Sequence, residues 1–374
     1  MPKYRFSEIA YNSTAKKKPT EADKDTYIGL EHLDSGSLTV SRWGSDVAPI
    51  GEKLIMKKGD VLFGKRRAYQ KKVAIAPFDG IFSAHGMVLR PNEAVITQEY
   101  FPLFISSDYF LDEAIRISVG SLSPTVNWKD LKDLAFNIPT IEEQKRITPL
   151  VWAAIESKNA YIALLERTDE LVKSQFIEMF GDPAVNPKKW PEMKLVDACT
   201  KLTDGTHYSP ESFPTGEFKY VTAKNIKTDG FDFSTISYLP EEVHRPIYER
   251  CNPEKGDILY IKDGATTGIA MINSLDEEFS LLSSVALLKH NRTLLVGEYL
   301  KALLNYPTFY ETMRSNMGGV AITRLTVKKL CDTLVMIAPL DLQMRFAGLV
   351  EQADKSKFVA YQATLSTDSM IKWY

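Results

Sequence analysis

Lys58-Gly59-Asp60-Val61-Leu62 returns 197 positions later as Lys255-Gly256-Asp257-Ile258-Leu259. Downstream, Phe136-Asn137-Ile138-Pro139 returns as Met336-Ile337-Ala338-Pro339, 200 positions on. Each proline is followed by a short acidic step and a glutamine: Gln144-Lys145-Arg146-Ile147 and Gln343-Met344-Arg345-Phe346. Gly120-Ser121-Leu122 matches Gly319-Val320-Ala321, and Tyr27-Ile28 with Asp34-Ser35-Gly36 matches Tyr220-Val221 with Thr228-Asp229-Gly230. One Gly-Asp-hydrophobic step is only a common strand opener. Five features in the same order indicate a duplicated unit of about 200 residues, too long for a solenoid repeat. A duplication in one chain predicts an internal pseudo-twofold repeat.

The chain has 374 residues, 44% hydrophobic and 25% charged, which excludes a disordered tail or a rod. Cys199, Cys251 and Cys331 lie far apart, without metal-ligand spacing or a disulfide framework, so a reducing cytoplasm is expected. The start, Met1-Pro-Lys-Tyr-Arg-Phe, lacks the apolar segment of a signal peptide, and no run of 18 apolar residues predicts a membrane span.

Within each unit the texture changes from short strand-like runs broken by Gly and Pro to a long helix. Thr140-Ile141-Glu142-Glu143 has the form of a capping box, and no glycine follows until Gly181. Val151, Ile155, Lys158, Ile162, Leu165, Asp169, Val172, Phe176 and Met179 are spaced alternately four and three, an a/d seam interrupted at Lys158 and Asp169. A helix over 141–180 would span about 60 Å. Pro149 should kink it, or Thr148-Pro149 restarts it as cap and first turn. A second, less regular stretch over 340–374 places Phe346, Leu349, Val350, Ala353, Ala360 and Met370 on or near one stripe. The two seams can bury each other as an antiparallel coiled coil; alternatively each helix packs only on its own globular part. The expected class is α+β: two mixed α/β domains, 1–138 and 183–338, joined by long helices at 139–182 and 339–374.

Chemistry is sparse. There is no Gly-x-x-x-x-Gly-Lys-Ser/Thr loop, no Gly-x-Ser-x-Gly elbow, no Asn-Pro-Pro-Tyr clamp for a flipped base, and no His pair at ligand spacing. The formal charge is −2, which alone argues against nucleic acid. Locally the opposite holds: residues 53–72 carry eight basic groups and one acid, Asp60. At its centre Lys65, Arg66, Arg67, Tyr69, Gln70, Lys71 and Lys72 combine groups that contact phosphates, stack and read base edges. Lys16, Lys17 and Lys18 form a weaker basic cluster. The equivalent second-unit loop, from Lys262 through Thr266 and Thr267 to Gly268, is small and polar. Thr206 and His207 lie in another turn-rich polar segment. A common frame with divergent loops suits two modules reading different sequences, the first leaning on phosphates and the second on bases and partners.

Taken together, the chain resembles the specificity subunits of type I restriction–modification systems. The matching residues are Gly59-Asp60-Val61-Leu62 and Gly256-Asp257-Ile258-Leu259 late in each recognition domain. Ile138-Pro139 with Glu143-Gln144, and Ala338-Pro339 with Gln343, resemble the helix starts. Met179-Phe180-Gly181-Asp182-Pro183 with Asn186-Pro187-Lys188-Lys189-Trp190 resembles the junction between halves, and Asp204-Gly205-Thr206-His207 with Ser209-Pro210 an early loop of the second domain. The resemblance implies a noncatalytic reader of double-stranded DNA, each domain taking half of a bipartite site. Its helices would act as a spacer and dock two methyltransferase subunits, with restriction subunits joining. It implies no cofactor on this chain, with S-adenosylmethionine, ATP and Mg on the partners. The seam residues Val151, Ile155, Ile162, Leu165, Val172, Phe176, Phe346, Leu349, Val350 and Ala353 would form the helix contacts. Two alternatives stand beside it. A stand-alone DNA-modifying enzyme would transfer label from S-adenosylmethionine to DNA unaided. A protein-binding coiled-coil scaffold would give no sequence-specific footprint.

Overall fold

The computed structural model describes residues 1–317 and 324–373, and the side chains of all of these except 366 and 368–373. Gly319-Val320-Ala321 and the Met370 side chain therefore lie outside the described residues. The fold is mixed α+β, in two compact units: Met1–Ala160 with Ala363–Tyr374, and Tyr161–Gln362.

Unit 1 contains strands β1 (Lys3–Arg5), β2 (Ala10–Ser13), β3 (Lys16–Lys17), β4 (Tyr27–Ile28), β5 (Lys53–Met56), β6 (Val61–Phe63), β7 (Val73–Ile75), β8 (Gly80–Phe82), β9 (Met87–Pro91) and β10 (Ala135–Asn137). They form an antiparallel sheet β2-β9-β6-β7, a sheet β3-β5-β8-β4 with one parallel pair, and the pair β1-β10. Unit 2 contains β11 (Glu192–Lys194), β12 (Cys199–Asp204), β13 (Phe218–Val221), β14 (Ser237–Leu239), β15 (Ile258–Ile261), β16 (Ala270–Ile272), β17 (Phe279–Leu281), β18 (Val285–His290) and β19 (Leu334–Met336). Here the sheets are β12-β18-β15-β16, β14-β13-β17 and β11-β19, again with one parallel pair, β13-β17.

The repeated Lys-Gly-Asp step opens β6 and β15 through the same backbone device. Gly59 and Gly256 take φ of 88° and 90°, a left-handed turn that costs glycine nothing sterically. Asp60 and Asp257 fold back to accept the amides of Lys57 and Glu254, each at 2.8 Å. Each carboxylate also holds a cation from the neighbouring strand: Arg90 at 2.7 Å for Asp60, Lys289 at 2.8 Å for Asp257. These acids are turn builders.

The glutamines close each unit in matching ways. Gln144 accepts the Thr97 amide at 2.8 Å and donates to the Val95 and Pro139 carbonyls at 2.9 and 2.8 Å. Gln343 accepts the Val296 amide at 2.9 Å and donates to the Leu294 and Ala338 carbonyls at 3.0 and 2.7 Å. Both are fully buried, so each must be saturated with partners, and each is.

The central helix runs unbroken from Ile141 to Phe180. Thr140 and Glu143 form the reciprocal cap, Glu143 accepting the Thr140 amide at 2.8 Å. Gly181, at φ 82°, ends the helix. Pro149 sits inside it without the restart that Thr148-Pro149 would allow. The C-terminal helix spans Leu340–Trp373.

The apolar seam does not act as one stripe. Val151 and Ile155 enter the unit 1 core, where Phe6, Phe104, Phe110 and Phe136 cluster. Val172 and Phe176 enter the unit 2 core with Phe180, Tyr299 and Phe346. Between them Ile162 is exposed and Leu165 half-buried. Within unit 2 the helices run antiparallel: Phe176 meets Phe346 at 5.5 Å between ring centroids, while Asp169 pairs with Lys357 at 2.6 Å. Val350 and Ala353 are covered, and Leu349 is exposed.

Candidate nucleic-acid interface

The basic loop of unit 1 joins β6 to β7. Gly64 donates to the Lys72 carbonyl at 2.9 Å, closing the loop's neck. Lys65 accepts the Val126 amide at 2.9 Å, and Arg67 donates its amide to Pro124 at 2.7 Å, so the loop is stitched to a second segment. Arg67 and Lys71 take positive φ, 56° and 50°, around a short turn whose Ala68 is buried. This strained frame turns Tyr69 outward while Ala68 packs inward.

Arg66, Arg67, Gln70 and Lys72 line a cleft of about 420 Å³, faced by Tyr27, Glu31, Ser83 and His85. Arg66 lies 3.4 Å from His85 Nε2, and Arg67 donates to Ser123 at 3.2 Å. Partial burial, then the charges of Arg66, Lys65 and Lys53, hold the His85 pKa below its usual value. Burial and the charge of Lys16 lower that of Lys65. Tyr69 is exposed.

Other cations of the run are already engaged. Lys71 bridges Asp108 and Asp112 at 2.6 and 2.9 Å, and these bonds raise its pKa. Lys72 donates to the Leu30 carbonyl at 2.6 Å. Lys17 pairs with Asp23 at 2.9 Å, while Lys16 and Lys18 are exposed. The free positive edge is therefore narrower than the run of charges suggests, and centres on Arg66 and Arg67.

In unit 2 the corresponding position is a buried ion cluster. Lys262 accepts the Leu325 amide at 2.9 Å, as Lys65 accepts Val126, but its ammonium is buried between Asp263 at 3.1 Å and Asp204 at 3.4 Å. Lys262 is thus a structural cation, turned away from any ligand. Thr267 is buried and donates to the Gly264 carbonyl at 2.8 Å; Thr266 is exposed. Arg314 braces the loop from below, donating to the Ala265 and Thr267 carbonyls at 3.0 and 2.9 Å. Thr206 is buried and fixed through its backbone to Leu281 and Ser283. His207 projects outward, Nε2 lying 3.1 Å from Asp204, which also takes Arg250 at 2.8 Å.

Sequence reasoning did not single out His85, Glu31 or Ser83. Their common signal is spatial: they reach the loop from turns outside the basic run.

Residues 6–152 match the family model of the type I restriction modification DNA specificity domain. Over those residues the chain carries a type I restriction–modification DNA specificity domain. The resemblance drawn from the repeated motifs is borne out. The chain is similar to the type I restriction enzyme EcoDI specificity subunit of Escherichia coli, 24% identical over 165 residues, covering 44% of this chain and 36% of that protein. It is also similar to the MjaIX specificity subunit of Methanocaldococcus jannaschii, 22% identical over 283 residues, covering 70% and 63%. The matched stretches thus span between about a third and two-thirds of those relatives. In fold, the specificity-domain chain is similar to the crystal structure of a type I S subunit from M. genitalium, with TM-score 0.60 at 16% identity over 99% of this chain and 95% of that one. A chain from a structure on complex assembly and conformational transition of the type I R-M system gives TM-score 0.57 at 20% identity, with the same coverage. Among the described residues no helix is long and apolar enough to cross a membrane.

Proposed function

We propose that this chain is the DNA-sequence specificity subunit of a type I restriction–modification complex. Each unit reads one half of a bipartite site on double-stranded DNA. The long helices, packed as an antiparallel coiled coil, set the spacing and dock two methyltransferase subunits, which restriction subunits join. Catalysis and its S-adenosylmethionine, ATP and Mg belong to those partners, and this chain works in the cytoplasm without a cofactor of its own. The duplicated halves are related by a pseudo-twofold repeat, matching the halves of the site.

The observation that carries the reading is the arginine-lined cleft on the loop between β6 and β7. Arg66 and Arg67 are exposed cations on a stitched loop, with Gln70 and Tyr69 beside them. Guanidinium groups recognise phosphate and guanine edges in a fixed fork geometry.

The test is the double variant Arg66→Ala, Arg67→Ala in the assembled complex. Affinity for DNA is expected to fall about tenfold or more, and the salt dependence to become shallower by about 0.9 per lost phosphate contact. Unchanged affinity and slope would remove this loop from the interface.

A further inference from the structure

The two units present imidazole rings of opposite hydrogen-bond polarity, and the difference follows from geometry. In unit 1, Arg66 is the group against His85 Nε2, at 3.4 Å. A guanidinium only donates, so Nε2 accepts and the proton of the neutral ring sits on Nδ1. In unit 2, the group against His207 Nε2 is the carboxylate of Asp204, at 3.1 Å. That carboxylate is buried and held by two cations, Arg250 at 2.8 Å and Lys262 at 3.4 Å. An ionised carboxylate only accepts, so Nε2 of His207 must donate. Nδ1 is then left bare in the neutral ring, and it takes no hydrogen bond among the described residues. The His207 side chain is 66% exposed while that of Asp204 is 5% exposed. The ring is therefore anchored at one nitrogen and offers the other outward.

We infer that His207 is a specificity-determining residue of unit 2, whose Nδ1 accepts a hydrogen bond from the exocyclic amino group of adenine or cytosine, and that Asp204 is its positioning residue. The inference rests on the proposed DNA-reading function and deepens it. In the major groove adenine N6 and cytosine N4 are donors, while guanine and thymine present acceptors at the equivalent positions. A bare ring nitrogen accepts from the first pair and is repelled by the second. The placement supports this. Thr206, next to His207, is locked by its backbone to Leu281 and Ser283, on the turn between β17 and β18. The matching turn of unit 1, between β8 and β9, carries His85. Each unit thus sets an imidazole beside the same turn, supplied by different segments and polarised in opposite senses. Loop chemistry agrees: unit 1 sets the Arg66 cation against its ring, and unit 2 withdraws Lys262 into the cluster that fixes His207.

Two measurements on the full chain at pH 8 test it. The first is nitrogen NMR of the histidine rings, with the His207 signals assigned by their loss in His207→Gln. Nε2 protonated and Nδ1 bare is expected; a proton on Nδ1 overturns the inference. In Asp204→Asn both tautomers are expected, and ring signals left unchanged overturn the positioning role. The second is selection from random duplex DNA, with the chain assembled with methyltransferase subunits. The wild type is expected to require adenine or cytosine at one position, and His207→Ala to lose that preference alone, with affinity for the selected site reduced about tenfold. An unaltered selection by His207→Ala overturns the inference and leaves DNA reading standing. A wild-type complex that selects no sequence overturns the proposed function itself.

Discussion

The loops after β6 and β15 start from the same turn and end in opposite electrostatics. Both follow a left-handed glycine and an aspartate that caps the turn, and both accept an amide from a distant segment through the carbonyl of one lysine. In unit 1 that lysine is followed by two exposed arginines. In unit 2 it is buried between two aspartates, and the next residue is one of them. The lesson is that frame and surface are separately encoded. Backbone-to-backbone stitching tolerates a change of side chain, so charge can be rewritten without moving the strands.

The largest effect should come from striking the shared frame. Phe176→Ala removes a ring packed against Phe180, Tyr299 and Phe346, and should cost about 3–5 kcal/mol in denaturant unfolding of unit 2. A loss under about 1 kcal/mol would show that the central helix is not built into that core.

The aspartates sharpen the contrast. Asp257→Ala leaves Lys289 a second carboxylate, Glu254 at 3.0 Å, whereas Asp60→Ala takes from Arg90, 39% exposed, the carboxylate that holds it. The second should cost about 1–3 kcal/mol and the first less, because Glu254 still neutralises Lys289. Equal costs in urea melts would break that asymmetry. The glutamines test sameness instead. Gln144→Ala and Gln343→Ala each delete three hydrogen bonds of matching design, so each should cost about 2–3 kcal/mol, within about 0.5 of one another.

The smallest effect is a pH dependence confined to unit 1. The Thr20 amide and Lys17 hold the Asp23 pKa at about 2. Its unfolded value is about 3.9. A depressed carboxyl contributes stability above the unfolded value and loses it as pH falls through the folded one. Acid titration of the wild type should therefore lose this contribution between pH of about 4 and about 2, and Asp23→Asn should not show that step.

Much of this architecture was readable from residue order. The duplicated Lys-Gly-Asp step, the Thr140–Glu143 cap and the glycine-free run to Phe180 are local signals, and local signals survive in a sequence. The seam misled in one respect. Spacing of four and three marks which residues are covered, but Val151 and Phe176 are covered by different cores. The interface was legible only in part for the same reason. A run of basic residues shows its charge, but not that Lys71 meets Asp108 and Asp112 some forty residues away, or that Lys262 is enclosed by Asp204. Pairing across long separations depends on which loops the fold brings together.

The strand pairs β1-β10 and β11-β19 carry a consequence for inheritance. Lys3 lies opposite Asn137, and Glu192 opposite Met336, so the strand-bearing part of each unit begins and finishes at one place. A segment whose two ends meet can be excised and replaced by a homologous one without stretching its neighbours. Recombination between related genes at these two seams would exchange one unit's sheets and loops at once. Each unit is thus built as a cartridge, whose surface loops can change as a set instead of residue by residue.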